Sequence, residues 1–214
     1  MNPLQLNRRM VSKLFWELMD AQSLPEYDLP TTDQFDRLRK YADYNTGSLN
    51  EWDMVDLIAI CHYFKPRVIA EVGTFIGRST YALAVGAGEM AMIYTCDASN
   101  DIPLPDMPPH SPAIICHPRE SSVEMFNKML SAEFGGRVDM FFIDGRISEA
   151  DRILMEKLSH PKTVIVLDDF EGVEKGVANA LLLGTSDHIL IYPRTPDGKT
   201  AVLVPIQLLQ LTAQ

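Results

Sequence analysis

Features typical of zinc-binding, membrane-spanning or disulfide-stabilised proteins are scarce in this chain. Its 214 residues include only three cysteines, Cys61, Cys96 and Cys116, with no C-x-x-C pair, so a structural zinc site is not expected. Each cysteine lies in an apolar run, which predicts three buried, reduced thiols. The five histidines form no H-x-x-x-H pair, and no apolar run is long enough to span a bilayer.

Positive charge is scarce as well. The chain has 19 lysine and arginine residues against 29 aspartate and glutamate residues, which gives a formal net charge of −10. This balance argues against a nucleic-acid backbone or an anionic membrane as the main partner. The first helical segment carries charges where a signal peptide needs an unbroken apolar stretch, so a cytoplasmic protein is expected.

The N-terminal part has a helical pattern. Apolar residues repeat at helical spacing in the first predicted helix, at Leu6, Met10, Leu14, Phe15 and Leu18. A second helix is predicted over residues 31–44, between the breaks LPEYDLP and NTGS. A capping box of Ser48 and Glu51 opens a third helix that runs to about Tyr63. We therefore separate a helical extension, residues 1–47, from one α/β domain, residues 48–214.

Aromatic side chains are frequent in these N-terminal helices, at Phe15, Trp16, Tyr41, Tyr44 and Trp52. Packing on the domain is their ordinary role. Covering an active site and forming the surface of a homodimer are the two alternatives that the sequence leaves open.

After Pro66, short apolar runs alternate with helical patterns. Strands are predicted in VIAEVG, MIYTCDAS, AIICHP, VDMFFIDG and TVIVLDDF, and helices over residues 79–86, 121–134, 149–160 and 172–183. The runs HILIYPR and TAVLVPI flank TPDGK, a hairpin signal that makes the last strand antiparallel. Continuous apolar strands are typical of sheets covered on both faces. The prediction is an α/β fold with a doubly wound, mostly parallel, Rossmann-like sheet.

Acidic residues follow the predicted strands. Ligands of such sheets bind at the carboxyl ends of the strands. Five acids are found there: Glu71, Asp97, Asp144, Asp168 and Asp169. The sequence therefore predicts an acidic rim along one edge of the sheet.

The turn after the first strand, AEVGTFIGRST, contains Gly73 and Gly77. Glycines between a strand and a helix let a ligand approach the backbone and the helix N–H groups. The P-loop lysine is absent, and the spacing does not match G-x-G-x-x-G, so triphosphate and dinucleotide sites are disfavoured. Two interpretations of the turn remain: a plain tight turn, and a binding site for a nucleoside without pyrophosphate.

The segment from Glu71 to Ser79 resembles the first motif of class I S-adenosylmethionine-dependent methyltransferases, in particular the catechol and caffeoyl-CoA O-methyltransferase-like branch. The resemblance covers roughly residues 48–205 and implies a Rossmann-like methyltransferase fold. It implies cofactor contacts at Glu71, Gly73, Thr74, Phe75, Gly77, Ser79, Asp97, Ser121, Ser122 and Asp144. Asp97 would accept hydrogen bonds from the ribose hydroxyls. Ser121 and Ser122 would lie near adenine, although a serine there also suits a helix N-cap.

The same resemblance implies a divalent metal. Asp144, Asp168 and Asp169 offer the oxygen ligands that Mg²⁺ or Ca²⁺ prefers. Asp169 replaces the asparagine of the branch. A metal there would hold an acceptor hydroxyl and lower its pKa, with Asp144 and Asp168 as the catalytic residues. The alternative is that these acids cap helices or hold loops.

Two features depart from the branch. Its members place a basic residue three positions after the fourth-strand aspartate, where this chain has Ile147. Nearby polar residues are Arg146, Glu149, His110 and His117, and none is assigned as the base. The segment NDIPLPDMPPHSP is too rich in proline for the usual helix between the second and third strands. It would shape the ligand pocket or serve as a plain surface connection.

These observations lead to one principal hypothesis and two alternatives. The principal hypothesis is O-methylation of a small-molecule hydroxyl with S-adenosylmethionine, assisted by a divalent metal. One alternative is a non-catalytic module that binds the cofactor but has lost the base. The other is an NAD-dependent oxidoreductase, which the glycine spacing disfavours.

Overall fold

The computed structural model describes residues 8–24, 35, 37–38, 49–99, 103–131, 137–170, 173, 175–184 and 187–210. Of the helix predicted over residues 31–44, the three described positions, Phe35, Arg37 and Leu38, are helical. Apart from Leu24, the breaks on either side of it lie outside the described residues, as do Leu6, Ser48, Tyr41 and Tyr44.

Helices and strands alternate along the domain as the sequence predicts. The helices are α1 (Arg8–Asp20), α2 (Glu51–Phe64), α3 (Arg78–Ala87), α4 (Ser122–Leu130), α5 (Glu149–Leu158), α6 (Gly176–Leu183) and α7 (Ile206–Gln210). The strands are β1 (Val68–Val72), β2 (Met92–Asp97), β3 (Ala113–Pro118), β4 (Val138–Ile143), β5 (Ser159–Leu167), β6 (His188–Ile191) and β7 (Ala201–Pro205).

The strands form one mixed sheet in the order β3-β2-β1-β4-β5-β7-β6. β1 pairs in parallel with both β2 and β4, so the strand order reverses between β1 and β4. β7 is antiparallel to β5 and to β6, which confirms the predicted terminal hairpin. The carboxyl ends of β1, β4 and β5 therefore open beside the switch point, where ligands of such sheets bind.

Two apolar layers enclose the sheet, because successive side chains of each strand point to opposite faces. On one face, Ile69 and Phe142 pack with α1, α2 and α3. On the other, Val72 and Phe141 pack with α4, α5 and α6. The central strands are buried on both faces, as their continuous apolar sequences predict.

The start of α2 differs from the prediction. Its N-cap is Asn50, whose side chain accepts a hydrogen bond from the Asp53 N–H at 3.0 Å. The capping box of Ser48 and Glu51 is therefore wrong, because an Asn cap is already present immediately before the helix.

The buried face of α1 also differs from the predicted stripe. Phe15 of the predicted stripe is buried, but Met10 and Leu14 are about half exposed. Val11, Trp16 and Met19 are buried beside Phe15 instead. The helix is turned this way because it is anchored to the end of β6. Trp16 Nε1 donates to the Tyr192 carbonyl at 2.8 Å, and the Tyr192 N–H donates to Ser12 Oγ at 3.0 Å.

The edge strand β3 corrects two further predictions. Cys61 and Cys96 are buried as expected, but Cys116 on β3 is exposed, and so is Ile115. β3 has one neighbouring strand, and the described residues between β2 and β3 contain no helix that covers it. The prediction of no helix in this proline-rich segment is confirmed for residues 103–112.

The N-terminal aromatic residues divide into two groups. Phe15 and Trp16 pack on the domain, whereas Trp52 is 83% exposed. Within the described part of the chain, every helix is too short or too polar to cross a membrane.

Candidate functional site

The glycine turn links β1 to α3 next to the end of β4. Gly73 has φ +101°, and its N–H donates to the Cys96 carbonyl on β2 at 2.9 Å. A Cβ at Gly73 would lie 3.2 Å from the Asp144 carbonyl carbon. Glycine is therefore needed for its positive φ and for the close approach of this turn to the acid after β4.

Glu71 ties the turn to the first residues of α3. It is fully buried, and its carboxylate accepts hydrogen bonds from Ser79 Oγ at 2.5 Å and from Thr80 Oγ1 at 2.6 Å. Burial raises the pKa of Glu71 to about 7, although both hydroxyl groups lower it. Glu71 therefore carries a proton in part of the molecules at neutral pH.

Asp97 holds the turn from β2. Its Oδ2 accepts from the Phe75 N–H at 2.8 Å, and its Oδ1 accepts from the Ser99 N–H at 2.9 Å. Phe75 has φ +45°, a left-handed conformation that costs a non-glycine residue energy and that the Asp97 contact stabilises. Next to it, the Thr74 and Thr95 hydroxyl groups are 2.5 Å apart.

Part of the proline-rich segment covers this turn. A Cβ at Gly77 would lie 2.6 Å from Pro105 Cδ and 3.1 Å from Leu104 Cδ2. The cavity left at the turn has a volume of about 10 Å³ and reaches Asp144 on its far side. That volume suits about one water molecule. The polar groups fit a nucleoside ligand, but the cavity as it stands is too small to hold one.

Ser121 is the N-cap of α4. Its Oγ accepts from the Glu124 N–H at 3.3 Å, and the Glu124 carboxylate accepts from the Ser121 N–H at 2.8 Å, which completes a capping box. The N-cap interpretation of Ser121 is confirmed. Contact of Ser121 and Ser122 with adenine remains a prediction.

The three aspartates after β4 and β5 converge. Carboxylate oxygens of Asp144, Asp168 and Asp169 lie within 4.8 Å of one another. Asp168 is 4% exposed, and its Oδ1 has no hydrogen-bond partner among the described residues. Burial and the charges of the other two acids raise the pKa of Asp168 well above its usual range. Burial raises the pKa of Asp144 to about 6, against the opposing effect of a lysine.

That lysine is Lys175, which sequence reasoning missed. Its Nζ lies 2.5 Å from Asp144 Oδ1 and 2.5 Å from Asp169 Oδ2. Burial lowers the pKa of Lys175, but both acids raise it, and the net result is a pKa above its usual range. One signal could have found it: Lys175 precedes α6, and the helix after a parallel strand begins at the same rim as that strand's carboxyl end.

Lys199 also approaches this cluster, but more loosely. Its Nζ lies 3.7 Å from Asp169 Oδ1. It is therefore a secondary cation of the cluster.

The residues considered as bases lie in other contacts. His117 Nδ1 is 3.0 Å from Glu120, His110 Nδ1 is 3.4 Å from Glu89, and the Glu149 carboxylate accepts from Arg152. Arg146 is exposed.

Ile147 packs against the apolar layer that contains α4, α5 and α6. Its N–H donates to Asn179 Oδ1 at 3.4 Å, and Asn179 Nδ2 donates to the Gly145 carbonyl at 2.8 Å. Sequence reasoning also missed Asn179. Its position one turn along α6 from Lys175 means that one helix contacts the Asp144–Ile147 loop twice.

Two grooves reach Phe170, the residue that follows Asp169. The larger, about 940 Å³, runs between α1 and the loop after β6 and is lined by Phe170, Trp16 and Tyr192 together with charged residues. The smaller, about 700 Å³, is apolar and lies between α6 and β6. Phe170 and Tyr192 line both, with ring centroids 6.2 Å apart. Phe170 connects these grooves to the acid-bearing loop after β5, although the lining of neither groove includes one of the three aspartates.

The larger groove is braced by Arg194. Its guanidinium pairs with Asp20 at 2.5 Å and with Asp56 at 2.8 Å, and lies 5.1 Å from the centre of the Trp16 ring. Burial raises the pKa of Asp56 to about 6, with Arg194 acting in the opposite direction. These contacts hold α1 against the loop after β6.

Solved structures can now be compared with this one, which has a defined strand order, a glycine turn after β1 and acids at the ends of β2, β4 and β5. The fold is a Rossmann-like methyltransferase fold. It is similar to an O-methyltransferase from Bacillus cereus in complex with SAH, at 14% identity and a TM-score of 0.59, over 91% of this chain and 99% of that one.

Two further structures show the same similarity. The O-methyltransferase TomG from Streptomyces achromogenes, involved in tomaymycin synthesis and solved with SAM, has 16% identity and a TM-score of 0.60, over 92% of this chain and 98% of its own. A candidate caffeoyl-CoA O-methyltransferase from Staphylococcus aureus has 12% identity and a TM-score of 0.57, over 91% and 99%. No protein-family model and no curated protein sequence matches the chain.

Proposed function

We propose that the chain is an S-adenosylmethionine-dependent methyltransferase that acts on a hydroxyl group of a small molecule. One observation carries the proposal: the glycine turn and the acidic cluster touch, since a Cβ at Gly73 would lie 3.2 Å from Asp144. A cofactor held at the turn would present its reactive group beside the acids. Reaction between two bound partners depends mainly on this kind of proximity.

The cofactor side of the site uses the residues of the turn. When bound, S-adenosylmethionine supplies an electrophilic methyl group. Gly73, Thr74, Phe75 and Gly77 would hold its methionine end, Asp97 its ribose hydroxyls, and Ser121 and Ser122 its adenine. Glu71 and Ser79 would keep the turn in place through the hydrogen bond that they share. The fold of neighbours solved with SAM or SAH supports this assignment.

The acceptor side uses the larger groove and the acids. Phe170 and Tyr192 offer aromatic surface for a small molecule. Magnesium or calcium would be held by Asp144, Asp168 and Asp169, whose oxygens are close enough together. As the structure stands the ion does not fit, because the Lys175 ammonium lies among these oxygens. We therefore assign no step to a metal. A homodimer and a cytoplasmic location remain predictions.

Calorimetry tests the cofactor assignment. The full chain is titrated with S-adenosylmethionine and S-adenosylhomocysteine, beside Asp97→Asn, Asp97→Ala and the exposed control Asp106→Ala. We expect binding by the parent and the control, and an affinity at least about tenfold lower for Asp97→Ala, because the ribose hydroxyls lose a charged acceptor. Near-ultraviolet circular dichroism shows whether each variant is folded.

Two outcomes of this experiment would contradict the proposal: no binding by the folded parent, or equal binding by the parent and Asp97→Ala. Transfer assays on a panel of hydroxyl acceptors then separate an enzyme from a module that binds the cofactor without turnover. An ultraviolet difference spectrum that appears on addition of NAD(H) would favour an oxidoreductase instead.

A further inference from the structure

The acidic cluster already contains a cation that belongs to the chain. The Lys175 ammonium joins Asp144 and Asp169, which follow different strands, at 2.5 Å from an oxygen of each. Two of its N–H groups are used in these bonds. The third carboxyl group, that of Asp168, has an oxygen without a partner among the described residues and is almost fully buried.

Backbone packing fixes the position of Lys175. The next residue, Gly176, begins α6, and a Cβ there would lie 2.6 Å from the Asp168 carbonyl oxygen and 2.6 Å from Phe170 Cα. The start of α6 is thus pressed against the backbone that carries Asp168 and Asp169. One turn later, Asn179 donates to the Gly145 carbonyl beside Asp144. Lys175 is therefore anchored to both acid-bearing loops.

The ammonium and a divalent cation compete for the same oxygens. Each needs the oxygens of Asp144 and Asp169 at short range, and two positive centres placed a few ångströms apart in a half-buried site repel each other. The side chain of Lys175 is 24% exposed, and that of Asp144 is 11% exposed, so water screens this repulsion poorly.

We propose that Lys175 is the resident cation of this cluster and that its ammonium takes the place of a divalent metal. Only the role of the cation rests on the proposed function: the Lys175 ammonium would face the acceptor oxygen of a substrate bound in the groove that begins at Phe170. The occupancy of the cluster by Lys175, rather than by a metal, stands on the geometry alone.

Manganese binding tests the proposal without any turnover. Free Mn²⁺ is measured by electron paramagnetic resonance against the parent chain, Lys175→Met and the control Lys157→Met, which removes an exposed lysine of α5. We expect the parent and Lys157→Met to have the same weak affinity for Mn²⁺. Lys175→Met should bind one ion per chain at least about tenfold more tightly, because removing the ammonium leaves the carboxylates unneutralised. Adding Asp144→Asn to Lys175→Met should abolish this gain.

Three results would overturn the proposal: one tightly bound Mn²⁺ in the parent, equal affinities for the parent and Lys175→Met, or a clear stabilisation of the parent by Mg²⁺. If Lys175→Met does not fold, Lys175→Gln replaces it. The parent is also melted in excess Mg²⁺ and in chelator. The same samples are titrated with S-adenosylhomocysteine. If the folded parent does not bind it while the Mn²⁺ results are as expected, the proposed function is contradicted and the assignment of Lys175 stands.

Discussion

Replacing Glu71 with glutamine should make the stability of the protein less sensitive to a rise in pH from mildly acidic to neutral values. Glu71 is fully buried, and its two carboxylate oxygens accept hydrogen bonds from Ser79 and Thr80. A glutamine side chain has almost the same shape, and the two hydroxyl groups can rotate to suit its amide. The substitution therefore removes one ionisable group with little change in packing.

The size of the effect follows from the pKa of Glu71. Burial raises this pKa from 4.5 to about 7 in the folded protein. One pKa unit corresponds to about 1.4 kcal/mol, so the folded protein loses about 3 kcal/mol of stability as Glu71 ionises. The sign is fixed because the folded state binds the proton more tightly than the unfolded state. Stability falls as the pH rises from about 4.5 to about 7 and is then level.

Urea unfolding at about pH 5 and about pH 8 measures this difference. Asp144, Asp168 and Asp56 also have raised pKa values and contribute a slope of the same sign, so the parent and the variant must be compared at both pH values. Between these values the parent should lose about 2 to 3 kcal/mol more than Glu71→Gln.

The control for this measurement is Glu149→Gln, at the exposed start of α5. Arg152 lowers the pKa of Glu149, so its replacement should not reproduce the effect. Parallel losses of stability in the parent and in Glu71→Gln would refute the reasoning, since they would show that ionisation of Glu71 costs nothing in the fold.

Three further predictions concern the cofactor turn, α6 and β3. Leu104→Ala opens the space over Gly77 and should increase the affinity for S-adenosylhomocysteine in calorimetry; weaker binding would contradict a covering role. Gly176→Ala places a Cβ 2.6 Å from the Asp168 carbonyl oxygen and should lower the free energy of unfolding by about 2 kcal/mol in urea titrations. A thiol reagent should modify Cys116 in the native protein and leave the two buried cysteines unmodified until unfolding, as mass spectrometry would show.

Much of the sheet could be predicted from the sequence. Runs such as VDMFFIDG identify central strands because both faces of these strands are buried. The convergence of Asp144, Asp168 and Asp169 followed from the topology, since carboxyl ends of adjacent parallel strands meet at one edge. These predictions needed only the order of the elements and no knowledge of side-chain contacts.

Predictions that depended on a choice between neighbouring residues were less successful. In α1, helical spacing fits the stripe of Met10 and Leu14 as well as that of Val11 and Phe15. The structure buries the second stripe, because Trp16 and Ser12 hydrogen-bond to Tyr192, which lies far along the chain. The periodicity of α1 cannot show which stripe is buried, because the hydrogen-bond partner Tyr192 belongs to another part of the chain.

Two residues of this chain differ from what the resemblance leads one to expect, and the acidic cluster accounts for both. The resemblance leads one to expect a basic residue at Ile147 and an asparagine at Asp169. In the sequence alone, Ile147 suggests that the catalytic base has been lost, and Asp169 suggests an excess of negative charge. In the structure, Lys175 contacts both Asp144 and Asp169 from the start of α6.

The extra carboxylate and the relocated positive charge therefore compensate each other. Ile147 is free to pack in the apolar layer because the charge is supplied from the neighbouring helix. Lys175 supplies the charge but not the base, because both acids raise its pKa and keep the ammonium protonated. The net charge of the site therefore depends on every element whose end lies at this edge of the sheet. Lys175 contributes to it from the start of α6, a helix whose sequence contains no acid and no recognisable motif.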